Sequence, residues 1–128
     1  MSAYIQLCGS DDRESWLAAR MNGIGASEIA AALGESPWKS PLTLWAEKRG
    51  LVAADDLSDV EAVRWGLVLE GVVGVEYARR SGRGYEPAGK LLRSVAHPWA
   101  LATLDGWTVT TDGLRWPLEI KTTGAAHG

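Results

Sequence analysis

The sequence predicts an α/β fold, of the α+β kind, in which N-terminal helices precede a small mixed or antiparallel β-sheet. Helix start and stop signals are confined to the region before Gly84, and short β-rich segments separated by turn residues fill the rest. With 128 residues the chain is long enough for one domain with a buried core. We therefore expect residues 1–128 to form a single domain.

Composition and charge exclude several classes of protein. Hydrophobic residues make up 46% and charged residues 23% of the chain, which is typical of a soluble globular protein. The net charge of −3 argues against a protein that binds nucleic acid only by being basic. The single cysteine excludes a disulfide within one chain. No signal peptide or membrane span is visible, so we expect a cytoplasmic protein with no membrane contact.

Cap signals predict four helices in the first two thirds of the sequence. Asp11 or Asp12 caps a first helix that ends near residue 21, and glycines then lead into a short helix that starts near Ser27 and ends at Gly34. The third helix has Ser40 as its N-cap and ends at Gly50. A capping box over residues 58–61 predicts a long helix to about residue 80, and its apolar residues on every side predict that it is central.

Short strands are predicted from residue 90 onward. The segments are "KLLRSV" (90–95), "ALATL" (100–104), "WTVTT" (107–111) and "LRWPLEIKTT" (114–123), with Asp112-Gly113 as a hairpin turn between the last two. Pro117 has no N–H for a sheet ladder, so it predicts an edge strand or a bulge.

An acidic and a basic residue near the end of the sequence indicate a candidate catalytic site. Glu119 and Lys121 alternate with apolar residues, so both point to one face of a strand. The hairpin folds Glu119 back beside Asp105, and these carboxylates with the carbonyl of Ile120 offer the oxygen ligands that Mg²⁺ prefers. Lys121 is then placed to orient a water or to stabilise charge on a phosphate.

Each of these residues also has a plainer interpretation. Asp105 precedes Gly106 and fits an Asp-Gly turn, and Glu119 with Lys121 fits an exposed cross-strand face. Glu70 lies on the apolar stripe of the long helix, where it needs a metal, a proton or a partner such as Arg64 or Arg79.

The glycine-rich segment after the first helix is a second candidate site. Arg20 and Ser27, beside backbone amides at a helix N-terminus, offer an anion site, but taken alone the segment is better explained by ordinary capping, with Ser27 or Ala26 at the turn and Arg20 solvated. Trp45, Trp65 and Trp99 are interpreted as core residues.

Four segments, taken in order, resemble one family. They are "GIGASEIAAALGESPWKSPLTLWAEKRG", "WGLVLEGVV", "HPWALATLDG" and "LEIKTT". Together they are similar to the YqaJ-type viral recombinases, phage nucleases related to lambda exonuclease within the PD-(D/E)XK, restriction-endonuclease-like superfamily. The resemblance covers residues 16–123 and implies a restriction-endonuclease-like core.

The resemblance also implies an activity and roles for individual residues. It implies an Mg²⁺- or Mn²⁺-dependent nuclease, with one or two ions, that digests double-stranded DNA from a 5′ end for recombination by strand annealing. By resemblance, the catalytic residues are Asp105, Glu119 and Lys121. The metal ligands are Glu70, Asp105, Glu119 and the Ile120 carbonyl, and the residues that contact the 5′-phosphate or DNA are Arg20, Ser27 and Thr103.

Departures from the family pattern keep other functions open. Leu104 stands where relatives have proline, and relatives continue past the last strand with a further core helix and strand. We therefore expect a shortened, N-terminal portion of such a domain, with a bare sheet face that favours self-association. The alternatives are a non-catalytic relative that binds DNA ends or a partner nuclease, and a nicking or restriction-type endonuclease. Expected partners are DNA ends, a single-strand annealing protein and further copies of the chain, as trimers by resemblance.

Overall fold

The computed structural model describes residues 2–9, 11–57 and 59–123. The helices are α1 (Arg13–Arg20), α2 (Ile29–Ala32), α3 (Pro41–Lys48) and α4 (Glu61–Ser81), and a 3₁₀ turn (Ala26–Glu28) leads into α2. The strands are β1 (Tyr4–Gly9), β2 (Gly84–Ser94), β3 (Leu101–Val109) and β4 (Arg115–Leu118). The mixture of helices and a sheet is thus confirmed.

The strands form one sheet in the order β1-β2-β3-β4. β1 pairs antiparallel with β2, from Tyr4 opposite Ser94 to Gly9 opposite Lys90, with an irregularity between Gln6 and Cys8. β3 pairs antiparallel with β4. Sequence reasoning missed β1, although Tyr4 and Ile5 are typical strand residues, because the segment is short and lies before the first clear cap.

The chain divides into two compact units. The first unit is Met1–Asp55 with Lys90–Thr103, and the second unit is Asp56–Gly89 with Leu104–Gly128. Among the described residues, the buried apolar side chains belong to the first unit: Ala31, Leu44, Leu91, Leu92 and Leu101.

Local signals predicted the helix ends well. The Asp12 side chain accepts a hydrogen bond from the Ser15 N–H at the start of α1, at 3.1 Å. Ser40 Oγ does the same for the Thr43 N–H at the start of α3, at 3.0 Å. Gly82, in the left-handed region at φ 69°, follows α4. These caps act through residues close in sequence, so they can be read without the tertiary structure.

The predictions for α4 need two corrections. The helix begins at Glu61 with Val60 as its N-cap, rather than at the start of the predicted capping box; the first residue of that box, Ser58, lies outside the described residues. The prediction of a central helix is also wrong, because side chains such as Leu67 (69% exposed) and Val72 (63%) face solvent. Gly74 is the buried residue of this helix. No helix among the described residues is long and apolar enough to cross a membrane.

β3 is a single strand where two were predicted. It runs without a break through Asp105 and Gly106, so the interpretation of these residues as an Asp-Gly turn is wrong. A side chain at position 106 would collide with the ring of Tyr85. The glycine is therefore required by close packing within the sheet rather than by a turn.

β4 is shorter than predicted. The strand ends at Leu118, the last residue paired with β3, opposite Gly106. Glu119 and Lys121 therefore follow the strand instead of lying in it, because the next backbone donor, the Ile120 N–H, binds the Asp105 carboxylate. Pro117 lies in β4, which is at the edge of the described sheet, as predicted.

The tryptophan prediction is wrong. Trp45, Trp65 and Trp99 expose 54%, 55% and 56% of their surfaces. A buried indole needs apolar neighbours on both faces, and the described residues do not enclose these rings.

Replacing the cap of α3 is expected to destabilise the protein. Ser40→Ala removes the acceptor of the Thr43 N–H and should lower the free energy of unfolding by about 1 kcal/mol. Ser40→Asp restores an acceptor and should recover most of that loss. Urea denaturation followed by far-UV circular dichroism measures both, and equal losses in the two variants would contradict the capping role.

Candidate active site

The β3–β4 hairpin of the second unit brings Asp105 to the residues that follow β4. The turn is closed by hydrogen bonds from Thr110 N–H to Leu114 O and from Gly113 N–H to Thr110 O, both 2.9 Å. At the open end of the hairpin, Asp105 Oδ2 accepts a hydrogen bond from the Ile120 N–H at 2.6 Å. The carboxylate thus acts in place of a strand carbonyl and fixes the backbone between Glu119 and Lys121.

Glu119 and Lys121 form an ion pair on either side of that backbone contact. Lys121 Nζ lies 2.6 Å from Glu119 Oε1, with both side chains mostly exposed. The hydrogen bond and charge of Glu119 raise the pKa of Lys121, and the charges of Asp105 and Glu70 act in the same direction. Lys121 is therefore a protonated ammonium, suited to donate hydrogen bonds or to stabilise negative charge, and not to act as a base.

Glu70 of α4 is electrostatically part of the same cluster. Partial burial raises the pKa of its carboxyl, and the negative charges of Asp105 and Glu119 raise it further, against the opposing charge of Lys121. The alternative partner Arg79 instead binds Glu76, at 2.7 Å. The four residues predicted for catalysis and metal binding therefore influence one another within the second unit; we call them the carboxylate cluster (Glu70, Asp105, Glu119, Lys121).

The donor chemistry of the carboxylate cluster fits a hard divalent cation, which takes carboxylate and carbonyl oxygens. The excess negative charge that raises the pKa of Glu70 is what a cation would neutralise. The positions do not yet form a binding group: within the described ranges, no three Asp, Glu, His or Cys side chains converge as metal ligands. Glu119 is held by Lys121 instead. For Ile120 the contact seen is made by its N–H, so its carbonyl remains a predicted ligand.

The predicted phosphate residues lie in the first unit, where Trp16 connects two of them. The guanidinium of Arg20 stacks over the Trp16 ring at 4.5 Å from the centroid, and the indole N–H donates to Thr103 Oγ1 at 3.3 Å. Arg20 also donates to Glu28 Oε1 at 3.2 Å. The interpretation of Arg20 as merely solvated is therefore wrong.

Ser27 lies in the 3₁₀ turn next to Glu28 and is exposed. The N-cap of this turn is Gly25, whose N–H donates to Glu28 Oε2 at 2.8 Å. Ordinary capping by Ser27 is thus not observed, and its predicted contact with a phosphate stays a prediction.

Sequence reasoning missed the carboxylate that organises this region. Glu28 binds Arg20 and Gly25, and Lys48 Nζ lies 2.9 Å from its Oε1 while donating to the Arg20 carbonyl at 2.7 Å. Burial raises the pKa of Glu28, but the Gly25 N–H and the two cations outweigh burial, so the pKa lies below its usual value. The spacing from Gly25 to Glu28 is a capping-box signal that could have revealed this role. No local pattern indicates Lys48, which is twenty residues further on.

Comparison with known proteins identifies the family. Residues 15–128 match the model of the YqaJ-like viral recombinase domain. A curated relative, "Uncharacterized protein YqaJ" of Bacillus subtilis (strain 168), is 37% identical over 113 residues. That match covers 88% of this chain and 34% of the relative, so the chain spans about a third of the relative's length. The chain belongs to the YqaJ-like viral recombinase domain family.

Proposed function

We propose that this chain carries the catalytic residues of a metal-dependent deoxyribonuclease that degrades double-stranded DNA from 5′ ends during recombination by strand annealing. One observation carries the proposal: the Asp105 carboxylate holds the Ile120 N–H between the paired Glu119 and Lys121 at the end of the β3–β4 hairpin, within electrostatic influence of Glu70. Membership of the viral recombinase family supports a role on DNA. The fold we propose for the whole domain is restriction-endonuclease-like.

The carboxylate cluster has a defined division of labour in this proposal. Glu70, Asp105, Glu119 and the Ile120 carbonyl would hold one or two Mg²⁺ or Mn²⁺ ions, which supply a water of lowered pKa and Lewis-acid stabilisation of the phosphate. The Asp105–Ile120 hydrogen bond keeps the segment that carries Glu119 and Lys121 next to β3. The Lys121 ammonium would orient the attacking water and stabilise developing charge.

Recognition of the DNA end is proposed for the first unit. Arg20 is held by Trp16 and Glu28, so its guanidinium is already ordered before a phosphate arrives. Ser27 and Thr103 would add hydroxyl groups to this site. The proposed partners are double-stranded DNA ends, a single-strand annealing protein and further copies of the chain, as trimers. We propose the cytoplasm of a bacterial or phage-infected cell as its location.

A specific observation favours a second candidate, a relative that binds DNA ends without cutting them. The described acidic side chains do not converge as a metal-binding group, and Glu119 is paired with Lys121. Linear duplex carrying 5′-phosphates, incubated with Mg²⁺ beside a closed circular duplex, separates the candidates. Degradation of the linear DNA alone supports the exonuclease, and cutting of the circle supports an endonuclease. Binding of the linear DNA without cutting supports the DNA-end binder.

Removing the charge of Glu119 is expected to abolish cleavage. Glu119→Gln should reduce the rate by roughly a hundredfold or more, since a ligand of the ion and the partner of Lys121 are lost together. Glu86→Gln is the matched control, because Glu86 also forms an exposed ion pair in the second unit, with Arg115 at 2.7 Å. Initial rates on linear duplex measure both variants, and equal rates for Glu119→Gln and the unchanged protein would contradict the catalytic role.

Replacing Arg20 is expected to change the choice of DNA end more than the chemistry. Arg20→Met should reduce the preference for 5′-phosphorylated over 5′-hydroxyl duplex by about tenfold, since a charged hydrogen bond to phosphate is lost. Arg115→Met is the control, because Arg115 likewise pairs with a glutamate and lies over an indole, that of Trp107 at 4.9 Å. An unchanged preference in Arg20→Met would argue against recognition of the phosphate by this residue.

Glu70→Gln is expected to stabilise the protein while it impairs cleavage. Since folding raises the pKa of Glu70, the ionised carboxylate is disfavoured in the folded state, and stability is lost as pH rises through that raised pKa. The variant should therefore unfold at higher urea concentration than the unchanged protein at neutral pH in EDTA. The difference should vanish below the ordinary pKa of a glutamate. If Glu70→Gln and the unchanged protein were equally stable at neutral pH as well as at low pH, the electrostatic cost assigned to Glu70 would be contradicted.

A further inference from the structure

The ring of Tyr85 in β2 lies between two glycines of the second unit. A Cβ atom at Gly74 of α4 would come within 2.3 Å of Tyr85 Cζ, and one at Gly106 of β3 within 2.6 Å of Cε2. Cβ atoms essentially never approach other atoms closer than 3.0 Å. Both positions therefore require glycine as long as the ring stays where it is.

Each of these glycines lies in the same helix or strand as a member of the carboxylate cluster and close to it along the backbone. Gly74 follows Glu70 by four residues in α4, and residues at that spacing lie on one face of a helix. Gly106 directly follows Asp105 in β3. The contacts of one aromatic ring thus fix the backbone that carries each of the two carboxylates.

The electrostatics of the phenol agree with this geometry. Burial raises the pKa of Tyr85, and the charges of Glu70 and Asp105 raise it further. The hydroxyl is therefore within electrostatic reach of both carboxylates and remains neutral at physiological pH.

We propose that Tyr85 is a positioning residue of the carboxylate cluster, whose ring sets the separation of Glu70 from Asp105 and thereby the affinity for a divalent cation. This rests on the proposed function, because it assigns the two carboxylates to one metal site. Substitution of residues that orient metal ligands without binding the metal themselves commonly lowers metal affinity by roughly 10- to 100-fold.

A second contact between α4 and β3 provides a comparison. Tyr77 Oη and Thr108 Oγ1 lie 3.0 Å apart, and Thr108 is buried. Tyr77 is three residues beyond Gly74, and its hydroxyl contacts β3 at Thr108, two residues beyond Gly106. Its loss should weaken the packing of the helix on the sheet without changing the spacing of the carboxylates.

The decisive experiment compares two glycines of the same helix. Gly74→Ala drives a methyl group into the Tyr85 ring, whereas a Cβ at Gly71 meets nothing within 4 Å. Both changes gain about 1 kcal/mol of helix propensity, and the clash with the ring is specific to Gly74→Ala. Mn²⁺ affinity, measured by calorimetry on the full chain, should fall by roughly tenfold in Gly74→Ala and stay within about twofold in Gly71→Ala.

Substitutions of Tyr85 itself keep the proposal testable if Gly74→Ala fails to fold. Tyr85→Phe keeps the ring and should bind Mn²⁺ within about twofold of the unchanged protein, while Tyr85→Leu should bind it roughly tenfold more weakly. Tyr77→Phe should lower the stability in urea and leave Mn²⁺ affinity unchanged.

The outcomes separate this proposal from the proposed function. Metal binding by the unchanged protein, with equal affinity in Gly74→Ala or in Tyr85→Leu, would overturn the role of Tyr85 and leave the nuclease intact. The same loss in Tyr85→Phe as in Tyr85→Leu would overturn the role of the ring. No Mn²⁺ binding and no cleavage by the unchanged protein would overturn both proposals.

Discussion

The hydrogen bond from the Ile120 N–H to Asp105 Oδ2 is the contact on which the candidate site depends. It takes over where the ladder between β3 and β4 stops, one step beyond Gly106 and Leu118. A strand carbonyl at this point would have continued the sheet and left an ordinary edge. A carboxylate instead brings negative charge to the segment with Glu119 and Lys121, so the contact that follows the last ladder pair also brings Asp105 to these two residues.

Much of the helical structure could be predicted from the sequence, because its signals are local. The caps Asp12 and Ser40 and the stop at Gly82 each act within one turn of the helix end. The continuity of β3 and the exposure of α4 could not be predicted in the same way. Gly106 in β3 and Gly74 in α4 are instead fixed by close packing against the ring of Tyr85, a contact that no local pattern shows. A glycine considered without its neighbours in space predicts a turn or a weak helix. Here the ring packed against it shows that the glycine is needed for close packing.

The two candidate sites differ in how many of their residues could be predicted from the sequence. Spacing and family resemblance predicted that Asp105, Glu119 and Lys121 lie together. In the structure their charges influence one another and Glu70. The region around Arg20 was predicted only by its most obvious cation. Glu28, which joins α1, the loop before the 3₁₀ turn and α3, is an ordinary acidic residue in the sequence. Its importance comes from three contacts, of which only the one to Gly25 is local.

Pro117 has a consequence for how copies of this chain can meet. Pro117 is in β4, opposite Trp107 of β3, and β4 is at the edge of the described sheet. A neighbouring molecule that added a strand here would need backbone N–H donors from β4. Proline offers none, and a strand of four residues leaves little length on either side of it. Growth of the sheet from molecule to molecule is therefore discouraged at this edge. Association of copies at this edge therefore depends on side-chain contacts, whose fit can limit the number of copies, and not on an open-ended ladder of backbone hydrogen bonds.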